Sequence, residues 1–530
     1  MRSSGQAGRQ NVSMRPNASV RRVLHSMVSV VSGQGIVLIG NLVIVPFFLR
    51  AWGAEKYGVW LVASALVGYL ATLDFGMNMY IANRLSQAWA TGDLGQYRQV
   101  QSTAVGFFGG VAVIGSLLVG ATGVLLRAVD LPVARGVNPG ELVLTACLLA
   151  AQVLASLVGG VLVNTYRTVG SLPTTQWVSN AQRLVIVVGT LLLLIRHEGF
   201  VAVASLQLGV TATVIVAVLL HLRLRLPAAF PAVRGFRLAI LRESLSPSGH
   251  FGLIVFGTAL VVQGTSLMVA WMFGTAMLAL VQATRTLANV IRQGVGVMGA
   301  ALWPEFTLLE ARGGIGRLRL LSRLQLYLAS GIGVCGAAVL HFIGLDVLTA
   351  WTSGKLSGSQ GLMDAIAVYV ALQAPWMAAS LVVVATNRHE SFARRSILAG
   401  ALGLALGFVF GKALGPAGVF LGLLVGEACV LQHAALRQAC LITGEGYAAL
   451  AGRLWGGLPV VAAAAYGCAM IADRLAPRLR AERWAAVMGA ALCGTVLAGR
   501  VIWMRRGEWE AFRDGIGLWK AQRAPQTGQA

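Results

Sequence analysis

Four polar residues interrupt an otherwise apolar stretch of the sequence at Gln282, Arg285, Asn289 and Arg292, separated by three, four and three positions. That spacing places all four on one face of a helix. An arginine at mid-membrane costs roughly 2.5–3.5 kcal/mol on insertion scales, so two on one face require a watery cavity, a counter-charge or an anionic ligand. Arg285 and Arg292 are seven positions apart, about 10 Å along a helix at 1.5 Å per residue. Two extended guanidinium groups at that separation can converge on one diphosphate, whose oxygens suit their planar forks. The competing reading has Arg292 reach head groups or water at the membrane surface while Arg285 pairs with a buried acid.

Milder signals of the same kind recur. Gln176, Asn180 and Arg183 form a second stripe at steps of four and three, and Gln34 and Asn41 lie seven apart in the first apolar run. In a two-lobed chain the stripe containing Asn180 and Arg183 would face the first stripe across a cavity and share the anionic ligand; anchoring at the membrane surface is the alternative. Asp74 and Glu427 are acids inside apolar runs, where a carboxylate is costly unless protonated or paired. Either could carry a coupling proton or sodium ion, although Arg84 follows Asp74 closely enough to neutralise it.

The elements that must position these groups are membrane helices. Of 530 residues 57% are hydrophobic and 12% are charged, with mean hydropathy +0.73, whereas soluble domains carry about 25% charged residues. Apolar stretches of about 20 residues recur throughout, and alternating ten-residue strands do not, which implies helices and not a barrel. The net charge of +23 lies mostly in loops, and no soluble basic domain exists to hold a nucleic acid. The six cysteines show no close ligand spacing, so neither a disulfide framework nor a zinc site is expected. The basic residues 1–26 precede an apolar run of more than twenty residues with no convincing cleavage site, which reads as a retained first span.

Fourteen spans are expected, near 27–49, 58–81, 103–126, 141–164, 177–195, 201–222, 249–272, 277–303, 325–347, 365–386, 396–412, 416–436, 456–473 and 484–503. The organisation follows: a cytoplasmic tail (1–26), an N-lobe of six spans (27–222), a linker (223–248), a C-lobe of six spans (249–436), two further spans (437–503) and a cytoplasmic tail (504–530). With the N-terminus in the cytoplasm, well over half of the 42 basic residues fall on the inner side. Both termini are therefore expected inside. The last outer loop, with Arg474, Arg478, Arg480 and Arg483, fits this pattern least well.

An internal repeat supports the two lobes. Ala90-Thr-Gly-Asp-Leu-Gly-Gln-Tyr-Arg98 after the second span matches Ala311-Arg-Gly-Gly-Ile-Gly-Arg-Leu-Arg319 after the eighth, an offset of 221, and at the same offset Trp52-Gly53 meets Phe273-Gly274. Halves six spans apart share one orientation, so they should be related by an axis along the membrane normal with a path between them.

The stretch from Pro46 to Gly58, the run Tyr69-Leu-Ala-Thr-Leu-Asp-Phe-Gly76 with Arg84, Pro304-Glu-Phe306 with the Ala311–Arg319 loop, and Gly415-Pro-Ala-Gly418 resemble bacterial O-antigen and polysaccharide flippases. These belong to the multidrug, oligosaccharidyl-lipid and polysaccharide exporter superfamily, and the resemblance covers most of residues 24–436. It implies two six-helix lobes, alternating access in the inner membrane, and a lipid-linked oligosaccharide whose pyrophosphate sits in a cationic cavity. Membrane lipids, a polysaccharide polymerase and glycosyltransferases are the implied partners, and no cofactor is implied. Arg285 stands where the related lipid II flippases have an arginine early in the eighth span, although Ala283-Thr284 replaces a more polar pair.

Other chemistries are disfavoured. The seven histidines show no metal-ligand spacing, and His341, deep in a span, reads as packed or pore-lining. Gly294-Val-Gly-Val-Met-Gly299 matches GxGxxG but lies inside an apolar helix with no preceding strand, so it is no nucleotide site. No GxxxxGK[ST] sequence occurs. A membrane polymerase or glycosyltransferase would need a sizeable outer loop, and the longest expected one, 348–364, has few ionisable groups. A multidrug cation antiporter is the nearest rival, although cationic drugs favour acids and aromatics over two arginines. Glycines 403, 407, 411 and 415, continued by 418, 422 and 426, read as a close helix–helix contact.

Overall fold

The computed structural model describes residues 16–127, 137–231, 235–386, 388, 390–476 and 480–504. Among these the regular elements are all helical. The first lobe holds α1 (Pro16–Gly68), α2 (Met77–Thr91), α3 (Leu94–Arg127), α4 (Pro139–Thr168), α5 (Leu172–Ile195) and α6 (Phe200–Arg225). The second holds α7 (Leu238–Phe273), α8 (Thr275–Ala311), α9 (Ile315–Trp351), α10 (Gln360–Ala385), α11 (Glu390–Leu414), α12 (Pro416–Glu427) and α13 (His433–Thr443). Helices α14 (Tyr447–Leu475) and α15 (Arg480–Trp503) follow.

Among the described residues twelve segments are long and apolar enough to cross a membrane. One of them, Ser32–Asp74, makes two passes, because Gly53 (φ 74, ψ 176) reverses the chain. Phe48 and Trp60 lie 6.0 Å apart by ring centroid, where a continuous helix would separate them by about 18 Å. Helix α8, whose polar stripe lowers its hydropathy, adds another membrane-length pass. The protein is thus a multi-pass membrane protein, and the fourteen expected passes are accounted for.

The repeat is visible bond by bond. Gly53 (φ 74) and Gly274 (φ 87) adopt the same left-handed turn, as do Gly92 (φ 76) and Gly313 (φ 69), a conformation that glycine adopts without steric cost. Asp93 N donates to Ala88 O and Leu94 N to Gly92 O; 221 residues later Gly314 N donates to Leu309 O and Ile315 N to Gly313 O. Packing repeats as well: α1 lies on α5 as α7 lies on α11, and α4 on α6 as α10 on α12. The glycine stripe serves the last of these lobes, since a Cβ on Gly422 would meet Gly407 N at 2.2 Å.

The second span differs from the uninterrupted 58–81 helix expected. It unwinds into a 3-10 turn at Tyr69–Asp74, then Phe75 (φ 46) and Gly76 (φ 69) turn left-handed before α2 begins. The lobes meet along one continuous seam between this span and α7. Gly68 packs on Gln263, the Phe75 backbone on Gly252, and Arg84 pairs with Glu243 at 3.0 Å. A second seam, between α1 and the C-lobe, is tied near the Gly53 turn, where Trp351 Nε1 donates to Leu42 O at 2.6 Å and Lys355 Nζ to Leu49 O at 3.2 Å. Farther down, α1 leans away onto α5: Gly33 abuts Asn180, and Gly40 abuts Val187.

Helices α14 and α15 bury their inner faces on α9 around Leu454, Val461, Val487 and Trp503. Trp503 stacks on Tyr327 at 5.5 Å. Arg483, in the first turn of α15, bridges Asp346 (2.5 Å) and Asp473 (2.7 Å), so the arginine-rich stretch at the α14–α15 connection has local acids that anchor part of it.

Candidate functional site

Arg285, Asn289 and Arg292 line one cavity of about 270 Å³ inside the C-lobe, enclosed by α7, α8, α10, α11 and α12. Gln282, one turn toward the Gly274 end, is half-buried and lies outside its wall. Glu427, the last residue of α12, closes the opposite side and is 4% exposed. A π turn, Ala428–Gln432, begins at the next residue; such turns are rare and concentrate at functional sites.

The carboxylate of Glu427 is held by neutral donors. Tyr369 Oη donates to Oε1 at 2.7 Å, Gln373 Nε2 to both oxygens at 2.9 and 3.0 Å, and Trp376 Nε1 to Oε2 at 3.0 Å. Neither Arg285 nor Arg292 makes an ion pair among the described residues, and the buried Nη1 of Arg285 has no hydrogen-bond partner there. The reading in which Arg285 is neutralised by a buried acid is therefore not what forms. Two guanidinium groups share the cavity with one carboxylate that is already saturated, and a buried unpaired donor is costly. The site is built to accept an anion.

Tyr369, Gln373 and Trp376 were not singled out from the sequence. They follow one another at steps of four and three on α10, the same polar-face signal that marks α8, but tyrosine and tryptophan hide it in any count of charge. Pro375, inside α10, removes a backbone donor at this level, and Gln432 of the π turn donates to Leu372 O.

The remaining candidates lie elsewhere. Asn180 is 1% exposed and donates from Nδ2 to Ser29 O at 2.9 Å, joining α5 to α1; Arg183 is exposed on α5. The stripe predicted to face α8 is thus split between a helix tie and an exposed arginine. Replacing Asn180 by alanine should lower thermal stability by about 1 kcal/mol, the net worth of one such bond, with ligand affinity unchanged; a denaturation midpoint and a binding isotherm check both. Asp74 accepts from Asn78 N at 3.2 Å and Asn78 Nδ2 at 2.5 Å at the start of α2. Arg84 does not neutralise it, since its partner is Glu243. Gln34 and Asn41 are exposed on α1, which in a membrane helix favours a water-filled side over lipid. His341 Nδ1 lies 2.8 Å from Asp364 Oδ1, a partly exposed pair between α9 and α10 apart from the cavity.

No family model matches the sequence, and no curated protein matches it. Solved structures do. An inward-facing multidrug resistance MATE family transporter of the MOP superfamily aligns with TM-score 0.65 at 15% identity, over 80% of this chain and 99% of that one. The multidrug transporter DinF-BH aligns with TM-score 0.62 at 13% identity, over 84% of this chain and 100% of its own. An outward-facing MATE family structure gives 0.59 at 15% identity, over 81% and 96%. At these identities the likeness is one of architecture, and the chain has the two-lobed fold of the MATE transporters of the MOP superfamily.

Proposed function

We propose that this protein is a flippase of the bacterial inner membrane, with both termini cytoplasmic, that moves an isoprenoid pyrophosphate-linked oligosaccharide to the outer leaflet by alternating access. The observation that carries this reading is the C-lobe cavity with Arg285 and Arg292 free of ion pairs while Glu427 is held by neutral donors. A volume of about 270 Å³ is at the lower edge of small-ligand sites. It suits a pyrophosphate and not the sugars, which would lie outside it. Glu427 is the acid placed to take a coupling proton or sodium ion. No covalent step is required, and the transported lipid would be that of O-antigen, capsule or exopolysaccharide assembly, or the peptidoglycan precursor.

Multidrug antiport is the second reading. Tyr369, Trp376, Phe392 and Phe420 line the same cavity beside Glu427, which is what an organic cation prefers, and the aligned structures are named as multidrug transporters. Proteoliposomes separate the two. A fluorescent isoprenyl pyrophosphoryl-disaccharide should cross to the opposite leaflet saturably and be competed by inorganic pyrophosphate. Counterflow of a cationic rhodamine dye without movement of the pyrophosphate lipid would overturn the flippase reading in favour of drug export.

A further inference from the structure

The repeat gives the arginine cavity a counterpart in the N-lobe. Helices α4 and α10 start from the caps Asn138 and Ser359, which puts Ser156, Gly159 and Val163 where Met377, Ser380 and Val384 stand. The latter three line the arginine cavity, and the former three line an N-lobe cavity of about 230 Å³ between α4, α5 and α6. Helices α6 and α12 start from the caps Gly199 and Gly415, which pairs Thr211 with Glu427. The hydrogen bonds agree with this register, since Gln152 Nε2 donates to Thr211 Oγ1 at 3.4 Å as Gln373 Nε2 donates to Glu427 Oε1 at 2.9 Å.

The charges of the C-lobe site are missing from this copy. Ser64 and Ala71 take the places of Arg285 and Arg292, and Thr211 takes that of Glu427. Among the described residues no ionisable side chain lines the N-lobe cavity, whose polar wall is Ser156, Asn164, Thr175, Ser179, Gln182 and Thr211. The four hydroxyls donate to backbone carbonyls, so they offer a ligand acceptors only. Gln182 gives one N–H to Thr211 at 3.2 Å. Its Oε1 accepts no hydrogen bond, and the Asn164 amide makes none, among the described residues. An anion needs a surplus of donors and a cation needs a carboxylate. Carboxamides beside hydroxyl oxygens instead match groups that both donate and accept, as the hydroxyls of a sugar do. At roughly 30 Å³ per water, the cavity has room for about eight waters or for one sugar ring.

The way in differs between the lobes as well. On α12, Cβ atoms added to Gly422 and Gly426 would meet the backbone of Gly407 and Gly403 on α11 at 2.2 and 2.5 Å. Helix α6 carries Leu206 and Val210 at those two positions, and side chains of that size keep it from closing on α5 as tightly. Both line an apolar groove of about 680 Å³ between α5 and α6. Gln182 and Val214 belong to the groove and to the polar cavity alike, so the two spaces meet. The helices expose Leu184, Val185 and Val188 on α5 and Val216 and Leu220 on α6, an apolar surface that suits lipid and not a water-filled path.

We propose that the N-lobe cavity is a second binding site, for an uncharged sugar ring carried on an apolar chain, with the ring in the polar cavity and the chain along the α5–α6 groove. Apolar walls with a few convergent polar groups at one end are the usual make-up of a small-ligand site. The assignment stands apart from the flippase reading, because neither this ligand nor its probe carries a phosphate.

The test uses the full-length protein in phosphatidylcholine nanodiscs, a dodecyl β-glucoside with a diazirine in its chain, and mass spectrometry of the photolabelled peptides. Labelling of α5 and α6 should saturate and be competed by unlabelled dodecyl glucoside. Methyl glucoside in the water should compete at least about tenfold less well, since it buries no chain; equal competition would make a free sugar the ligand and overturn entry from the bilayer. Asn164→Leu, which loses no hydrogen bond within the protein, should keep the thermal midpoint and lower labelling about two- to tenfold, the worth of one neutral hydrogen bond. Gly209→Phe lies in the groove where an added Cβ meets nothing within 4 Å, so it should block labelling with the midpoint unchanged. Undiminished labelling in Asn164→Leu, or equal labelling by the same chain ending in phosphocholine, would overturn the sugar site and leave a groove that takes any chain.

Discussion

Arg285→Ala is expected to weaken binding of an isoprenyl pyrophosphate to the purified protein by about 10- to 100-fold. Charge-assisted hydrogen bonds are worth about 1.5–3 kcal/mol each, and every 1.4 kcal/mol is a factor of ten in affinity. The bidentate geometry of a guanidinium on phosphate sets the upper part of that range, so Arg285→Lys should recover only part of it. The protein itself should not lose stability, because the buried Nη1 of Arg285 has no partner to lose and its removal relieves an unpaired group. Arg292→Ala should weaken binding less. In a strain lacking the chromosomal copy, the double variant at matched membrane expression should abolish surface polymer while lipid-linked intermediate accumulates on the cytoplasmic side. Normal polymer from the double variant would remove both arginines from the mechanism.

Glu427 should respond in the opposite sense, and the choice of replacement separates its two roles. Glu427→Ala leaves the donors of Tyr369, Gln373 and Trp376 without their acceptor in a buried setting. Each orphaned donor costs about 1–3 kcal/mol, so a large fall in thermal midpoint and poor accumulation are expected. Glu427→Gln keeps one acceptor oxygen and most of the shape but turns its amide NH2 toward one of these donors, so a smaller loss is expected than for alanine, about 1–3 kcal/mol for the donor left unpaired. It also removes the one negative charge that lines the arginine cavity among the described residues. A like charge in a cavity of low dielectric is worth on the order of 1 kcal/mol or more, so pyrophosphate binding should tighten at least about threefold. If Glu427 carries the coupling ion, Glu427→Gln binds more tightly yet no longer accumulates substrate against a gradient. Unchanged affinity together with intact gradient-driven transport would reduce Glu427 to a packing role.

Both variants together test the electrostatic logic of the cavity. With Arg285→Ala, the gain from Glu427→Gln should persist, because Arg292 still faces the anion; groups in one cavity need not act additively, and the double-variant cycle measures the difference.

Much of this architecture follows from the linear sequence alone. Apolar length, the scarcity of charge and the glycines at 53, 92, 274 and 313 dictate helices and left-handed turns locally, which is why the passes and the 221-residue repeat were legible. The stripe through Arg285 and Arg292 was legible because helical periodicity is a property of one segment. What periodicity does not contain is the neighbour that a face meets. The rotation and tilt of each helix are set by packing of many small contacts, such as Gly422 on Gly407, and these decided that the stripe on α8 opposes Glu427 within one lobe. The same packing turned Asn180 onto Ser29 and gave Arg84 to Glu243 instead of Asp74. The unwinding at Tyr69–Gly76 was also beyond the sequence, since the equivalent residues 290–297 in α8 stay helical despite two glycines. Propensity weights a break, and the tertiary contact of the Phe75 backbone on Gly252 accompanies the one that forms.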